Sequence, residues 1–122
     1  MVDVICDTNF LIHLATKRIK NLDSFTLDLG SLTFLVPVVV YSELEKLQKV
    51  SGKKENTIKT LEYIKKFKKI SICGSYADKE ILDYVKIKRY FVGTMDKELK
   101  KKIKIFGSNI ISFHDDDLIL EN

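Results

Sequence analysis

Short apolar runs alternate along the chain with longer segments in which apolar residues recur every three or four positions. The runs predict buried strands, and the recurring positions predict amphipathic helices. The predicted strands cover residues 2–6, 33–36, 70–73, 90–93 and 109–112. The predicted helices cover residues 9–15, 21–29, 37–50, 53–69, 76–88 and 97–105. In the fourth helix we expect a buried stripe formed by Ile58, Leu61, Ile64 and Phe67.

Strands that alternate with helices predict parallel pairing, right-handed crossovers and helices on both faces of the sheet. The fold class is therefore α/β, although the pattern does not fix the order of the strands. One segment is ambiguous, because Val38, Val39 and Val40 favour a strand while Pro37 suits the first turn of a helix. We favour the helix, since it places Leu44 near Val40 on one face.

The length of 122 residues predicts a single domain over residues 1–122, large enough to bury a core. The apolar start is short and interrupted by aspartates, and the longest apolar run, at 32–41, is far below the ~20 residues of a membrane helix. We therefore expect a soluble, cytoplasmic protein with no membrane segment. Cys6 and Cys73 lie in apolar stretches without CxxC spacing, so we expect both to be reduced packing residues.

The formal charge is only +4, but lysines concentrate in the blocks at 52–69 and 97–104. A basic surface beside an acidic cleft would suit a polyanion held by its backbone phosphates. For any single lysine, solvation of an outer helix face is the better interpretation. The distribution therefore favours a nucleic-acid partner.

Four acidic residues, Asp7, Glu43, Asp78 and Asp96, lie where strands end or where the following helices begin. In an open parallel sheet, ligand sites collect at the carboxyl ends of the strands. Carboxylates that share a cleft repel one another unless a cation lies between them, and hard oxygen ligands favour Mg²⁺ or Mn²⁺. The pattern therefore predicts a metal site suited to phosphoryl transfer, with activated water as the nucleophile.

Each of these acids also has a structural explanation. Asp7, Asp78 and Asp96 are close to predicted helix starts, where capping or the helix dipole favours an acid. Glu43 lies beside a buried helix face and needs a partner, because burying an unpaired charge is costly. Taken singly, each acid is better explained structurally, and their joint placement is what favours a site.

Other acids and both histidines are weaker candidates for chemistry. Asp83 is turned part way around the predicted helix from Asp78. The acidic run 115–117 is predicted to be a solvated tail, because three consecutive residues cannot all face one ion. His13 and His114 stand in no ligand or base–nucleophile spacing, so we expect a helix-face residue and a surface residue.

Four segments carry the acids in a fixed order: VICDTNFLI, VPVVVYSELEKL, SYADKEILDY and FVGTMDKELKKK. Together they resemble the PIN-domain ribonucleases over nearly the whole chain. The resemblance implies a three-layer α/β/α sandwich around a parallel sheet of about five strands, with Mg²⁺ or Mn²⁺ in an acidic pocket. The family's acids correspond here to Asp7, Glu43, Asp78 and Asp96. Its accompanying polar positions correspond to Thr8, Asn9 and Thr94.

This resemblance implies a metal-dependent endoribonuclease that hydrolyses single-stranded or ribosomal precursor RNA. The segments YADKEIL and MDKELKKKIK are closer to the branch that acts in small-subunit ribosomal RNA maturation than to toxin nucleases. A toxin restrained by an antitoxin, and a non-catalytic RNA-binding subunit with a ribosome-assembly partner, remain alternatives. Family members often pair, so a homodimer is compatible with the sequence, although no stripe identifies its interface. A receiver-type signalling domain ranks last, because Asp7 is followed by Thr8 and Asn9 rather than by a second acid.

Overall fold

The computed structural model describes residues 2–50, 52–87 and 90–121, which form a six-stranded sheet with helices packed against it. The strands are β1 (Val2–Cys6), β2 (Leu32–Pro37), β3 (Lys68–Ile70), β4 (Phe91–Gly93), β5 (Ile110–His114) and β6 (Asp117–Glu121). The helices are α1 (Thr8–Thr16), α2 (Leu22–Leu29), α3 (Val38–Leu47), α4 (Lys54–Tyr63), α5 (Ala77–Ile87) and α6 (Lys97–Ile105), with a 3₁₀ turn at Ile64–Lys66.

The strand order is β3-β2-β1-β4-β5-β6, and the five strands from β3 to β5 are parallel. The chain first builds outwards from β1 to β3 and then returns to the other side of β1 to build β4 and β5. Right-handed crossovers therefore place α1 to α4 on one face of the sheet and α5 and α6 on the other. This arrangement confirms the predicted α/β sandwich and its parallel sheet. It also creates a topological switch point between β1 and β4, where open α/β sheets bind their ligands.

The sixth strand was not predicted, and the expectation of a solvated acidic tail is wrong. Asp115 and Asp116 have φ angles of 48° and 68°, which make the tight turn of a hairpin between β5 and β6. Strand β6 then runs antiparallel to β5, pairing Phe113 with Leu118. The buried Leu118 anchors β6 at the edge of the sheet, because its side chain joins the core.

Strand β6 is tied to helices on either side by side-chain contacts. Glu121 accepts a hydrogen bond from Ser112 and pairs with Lys100 at 2.7 Å, which joins β6 to α6. Asn21, just before α2, donates from Nδ2 to the Leu118 carbonyl at 2.9 Å and accepts the Leu118 N–H at 2.7 Å. The amide of Asn21 therefore bonds to both backbone groups of Leu118, as a neighbouring strand would.

The predicted helix at 53–69 is too long, and its expected stripe is buried only in part. Ile64 lies in the core, and Leu61 and Phe67 pack partly buried against it. Helix α4 ends at Tyr63. The strand expected at 70–73 lies earlier in the chain, since β3 covers Lys68–Ile70. Thr57 and Thr60 are buried while Ile58 is exposed. Each threonine hydroxyl donates to the carbonyl four residues earlier, so its polar group is satisfied without solvent.

The other predicted elements lie within a few residues of those observed. The ambiguous valine run is helical, with Pro37 as the residue that precedes α3. Helix α5 is described as far as Ile87, so the predicted end at Lys88 lies outside the described residues. Cys6 is buried as expected. Cys73 is exposed, and it lies beyond the end of the edge strand β3 instead of within a strand. No helix in the described ranges is long and apolar enough to cross a membrane.

Candidate active site

Asp7 lies at the end of β1, at the switch point of the sheet. Its backbone N–H donates to the Gly93 carbonyl at 2.8 Å, so the ladder between β1 and β4 continues into the site. The Asp7 side chain is buried and caps α1, accepting the Thr8 N–H on Oδ1 at 2.8 Å. Capping therefore falls to Asp7, whereas Asn9 is an exposed residue within the helix.

The electrostatic environment of Asp7 disfavours its ionised form. Burial raises the pKa of Asp7 to about 6, and the negative charges of Glu43 and Asp96 add to the rise. Hydrogen bonds from Thr8 and Thr94 lower the pKa, but they offset only part of the cost of burial. A positive charge beside Asp7 would relieve both burial and repulsion.

Thr94 connects Asp7 to Asp96 from beneath the site. It is fully buried, and its hydroxyl donates to Asp7 Oδ2 at 3.0 Å. The same hydroxyl accepts the Asp96 N–H at 3.1 Å. The Thr94 backbone N–H bonds to the Ile111 carbonyl, so β5 holds this linking residue in place. Thr94 therefore positions two of the predicted acids.

Asp96 caps helix α6 with one carboxylate oxygen. Its Oδ1 accepts the N–H groups of Glu98 at 2.9 Å and Leu99 at 3.2 Å. Asp96 is exposed, and among the described residues its second oxygen has no hydrogen-bond partner. The capping expected for this residue is present, and one oxygen still faces outwards for other use.

Glu43 has the partners that its position beside the core requires. Its Oε1 accepts the Thr8 hydroxyl at 2.6 Å, and its Oε2 accepts the Ala77 N–H at 2.8 Å. A residue of α3 thereby joins the first residue of α1 to the start of α5. Each carboxylate oxygen retains a second lone pair, so these bonds do not exhaust its capacity to accept.

The four predicted acids line one cleft of about 510 Å³. Thr8 and Asn9 also line it, while Thr94 lies beneath the floor. Asp78, the second residue of α5, is exposed at the rim. The structure therefore brings together the residues that sequence reasoning singled out, and their chemical roles stay a prediction.

Half of the cleft lining was missed by sequence reasoning. These further residues are Lys46, Leu47, Val50, Lys53, Ser75 and Tyr76. A signal for three of them was available, because positions 43, 46, 47 and 50 share one face of a helix. Starting from Glu43, the helical spacing of α3 would have led to Lys46, Leu47 and Val50.

The donor set has the chemistry that Mg²⁺ or Mn²⁺ requires. In the described part of the chain, no three acidic, histidine or cysteine side chains are close enough together to enclose an ion. Mg²⁺ usually keeps several waters and binds through one or two carboxylates together with phosphates, so it does not need such an enclosure. The carboxylates of this cleft, with the raised pKa of Asp7, fit an ion held in that open manner.

The weaker candidates lie elsewhere. Asp83 is exposed and pairs with Lys86 at 3.6 Å. His13 Nε2 lies 2.9 Å from Asp116 Oδ1, and its ring stacks on Phe113, so it fastens the β5–β6 turn to α1 rather than standing alone on a helix face. His114 is exposed, as expected.

Both the sequence and the fold of this chain are similar to known proteins. A family model described as a PIN-like domain matches residues 4–115. The solved structure of the PIN domain endonuclease Utp24 matches with a TM-score of 0.79 and 28% identity, over 98% of this chain and 90% of that one. VapBC2 from Rickettsia felis, solved with a DNA fragment from its promoter, matches with a TM-score of 0.64 and 13% identity, over 93% of this chain and 100% of that one. No curated protein sequence matches the chain significantly.

Proposed function

Because the chain belongs to the PIN-like domain family, we propose that it is a metal-dependent endoribonuclease that hydrolyses RNA phosphodiester bonds. The observation that carries the proposal is the convergence of Asp7, Glu43, Asp78 and Asp96 on one cleft at the switch point of the sheet. These acids lie in or directly before four different helices, and packing alone does not require them to meet.

In this proposal, Asp7, Glu43, Asp78 and Asp96 would hold one or two Mg²⁺ or Mn²⁺ ions, each ion bound by no more than two of the carboxylates and completed by water and phosphate. When bound, such an ion lowers the pKa of water and stabilises negative charge on a phosphate. The chain's own residues fix the carboxylates. Thr94 orients Asp7, the hydroxyl of Thr8 orients Glu43, and the first turn of α6 orients Asp96. Preorganised groups of this kind avoid rearrangement during the reaction.

We further propose ribosomal RNA maturation as the process served. The support is the likeness of YADKEIL and MDKELKKKIK to that branch, together with the 28% identity to the endonuclease Utp24. The likeness to VapBC2, at 13% identity, concerns the fold alone. A toxin function is therefore the second candidate, and growth arrest on expression that a co-expressed antitoxin relieves would favour it. A purely RNA-binding subunit would bind RNA but never cleave it.

The test is cleavage of single-stranded RNA in Mg²⁺ or Mn²⁺ by protein shown to be free of contaminating nuclease. We expect Asp7→Asn and Asp96→Asn to abolish cleavage with the fold retained by circular dichroism. Asp83→Asn is the matched control, because Asp83 is exposed, lies outside the cleft and pairs with Lys86. Full activity in either site variant, or equal loss in the control, would remove the proposal.

A further inference from the structure

The cleft extends beyond the acids onto a surface of different character. Part of its lining is formed by Lys46, Leu47 and Val50 on and just beyond α3, together with Lys53 and Tyr76. We call these five residues the α3 shelf. A second cavity of about 230 Å³ adjoins the first, and the two share Asn9, Leu47 and Lys53 in their linings. The groove therefore continues from the acids across the shelf towards the start of α4.

The ammonium groups of the two lysines in the α3 shelf form no ion pair with the residues that the structure describes. Lys46 and Lys53 have no acidic partner within 4 Å in the part of the chain that the structure describes. By contrast, Lys59 pairs with Glu55 at 3.6 Å and Lys65 with Glu62 at 2.9 Å. Two uncommitted ammonium groups in a groove that also holds carboxylates suit phosphates that pass beside the acids.

The shelf also exposes apolar surface beside these charges. Tyr76 is 66% exposed and Val50 is 45% exposed, although both line the cleft. Leu47 also lines the cleft and is half-buried. An exposed aromatic ring near free cations is the combination that binds single-stranded nucleic acid, because bases stack on the ring while the cations contact the backbone.

We propose that the α3 shelf is a nucleotide subsite for single-stranded RNA, next to the phosphate that the acids address. The base lies against Tyr76, Leu47 and Val50, and the adjoining phosphates contact Lys46 and Lys53. This inference rests on the proposed function, since the acids define which phosphate is cleaved. Paired bases cannot reach the ring without leaving their stack, so the subsite selects unpaired RNA.

The first test measures binding of a short fluorescent single-stranded oligoribonucleotide by anisotropy, with a chelator present so that no cleavage occurs. We expect Tyr76→Ala to weaken binding about 5- to 150-fold, the range that corresponds to loss of stacking on one base. Tyr76→Phe should bind nearly as well as the native protein, because it keeps the ring. Phe106→Ala is the control, an exposed aromatic at the far end of α6.

The second test measures how binding depends on salt. Each lysine that contacts a phosphate contributes about 0.7 to the slope of log K against log salt on a single strand. Changing both Lys46 and Lys53 to Met should therefore lower the slope by about 1.4. Changing Lys59 and Lys65 to Met removes the same charge away from the groove and should lower the slope much less.

The outcomes separate this inference from the proposed function. Binding that depends on Tyr76 and on both lysines supports the subsite even if no cleavage is found, and in that case only the nuclease proposal fails. Cleavage with native affinity in Tyr76→Ala overturns the subsite and leaves the nuclease intact. Equal losses in the control variants, equal dependence on Tyr76 for duplex RNA, or no binding of single-stranded RNA also overturn the subsite.

Discussion

Asp7 is a carboxylate whose burial has a measurable thermodynamic consequence. In the unfolded chain it loses its proton near the ordinary pKa of 3.8, whereas in the fold it keeps the proton until about pH 6. Between these values the folded state binds more protons than the unfolded state. Folding stability contributed by Asp7 is therefore fully present below about pH 4 and is lost as the pH rises through 6.

We expect the Asp7→Asn variant to lack this loss. With about two units between the two pKa values, its stability relative to the native protein should rise by about 2 kcal/mol from pH 4 to pH 7. Urea unfolding across this range, with a chelator present, measures the difference. A difference that stays flat with pH would show that the carboxylate of Asp7 is not held in an unfavourable environment.

Thr94 is the second residue for which the site geometry makes a prediction. Thr94→Val keeps the shape but leaves Asp7 Oδ2 and the Asp96 N–H without their shared partner. We expect a loss of about 1–3 kcal/mol in the free energy of unfolding, because buried polar groups lose hydrogen bonds. The pKa of Asp7, followed by NMR, should rise further, since the Thr94 bond lowers it.

The matched variant Thr94→Ser keeps the hydroxyl and loses only a methyl group. If it lowers stability and shifts the Asp7 titration as much as Thr94→Val does, the hydroxyl is not what positions the acids. A clear separation between the two variants assigns the effect to the hydrogen bonds.

At the residue scale, the sequence predicted which acids to consider but not how they are held. The rule that strand ends converge was enough to single out Asp7 and Asp96. The links through Thr94 and from Glu43 to Ala77 depend on side-chain directions across residues far apart in sequence. Periodicity carries no information on such directions, so these contacts emerge only from the packed fold.

At the scale of elements, the packing of α1 against β4 is tight where the site begins. A Cβ atom added to Gly93 would lie 2.7 Å from Phe10 Cε2, well inside contact distance. We expect Gly93→Ala to lower the free energy of unfolding by about 1–3 kcal/mol through overpacking. Chemical unfolding measures the loss.

The double variant with Phe10→Leu tests this explanation. A smaller side chain at position 10 makes room for the new methyl group, so the double variant should be less destabilised than the sum of the single changes. Strict additivity would mean that the ring of Phe10 does not limit the space at Gly93.

Elements defined by apolar patterning were predicted well, and those built on polar residues were not. Strand β3 reads as a basic run because Lys68 and Lys69 are exposed at the edge of the sheet. Helix α4 buries threonines that satisfy their own hydroxyls, which a search for apolar residues overlooks. Strand β6 was missed because the acidic run that leads into it is typical of a solvated tail. Two aspartates between apolar segments can, however, make a two-residue hairpin turn.

At the scale of the whole molecule, the amide of Asn21 occupies backbone groups of β6, one of the two edge strands of the sheet. The Asn21→Ala variant leaves the backbone N–H and C=O of Leu118 without the hydrogen bonds that the Asn21 amide provides. We expect a loss of about 1–2 kcal/mol in the free energy of unfolding and concentration-dependent self-association, measured by light scattering. Exposed edge strands pair readily with other chains.

Asn21→Asp separates the two effects. It should also be destabilised, because its carboxylate faces the Leu118 carbonyl, but its charge at the edge should prevent association. Association of both variants to the same extent would mean that unfolding, and not the freed edge, drives it.

The opposite flank of the sheet is closed in a different way, since β3 has only three residues and exposes Lys68 and Lys69. A strand from a second copy would have to displace the Asn21 amide from β6 at one flank. At the other flank it would have to pair with β3, which is very short and positively charged. Pairing of two copies edge to edge is therefore unfavourable at both flanks, and we expect any self-association of the native protein to use surfaces other than the sheet edges.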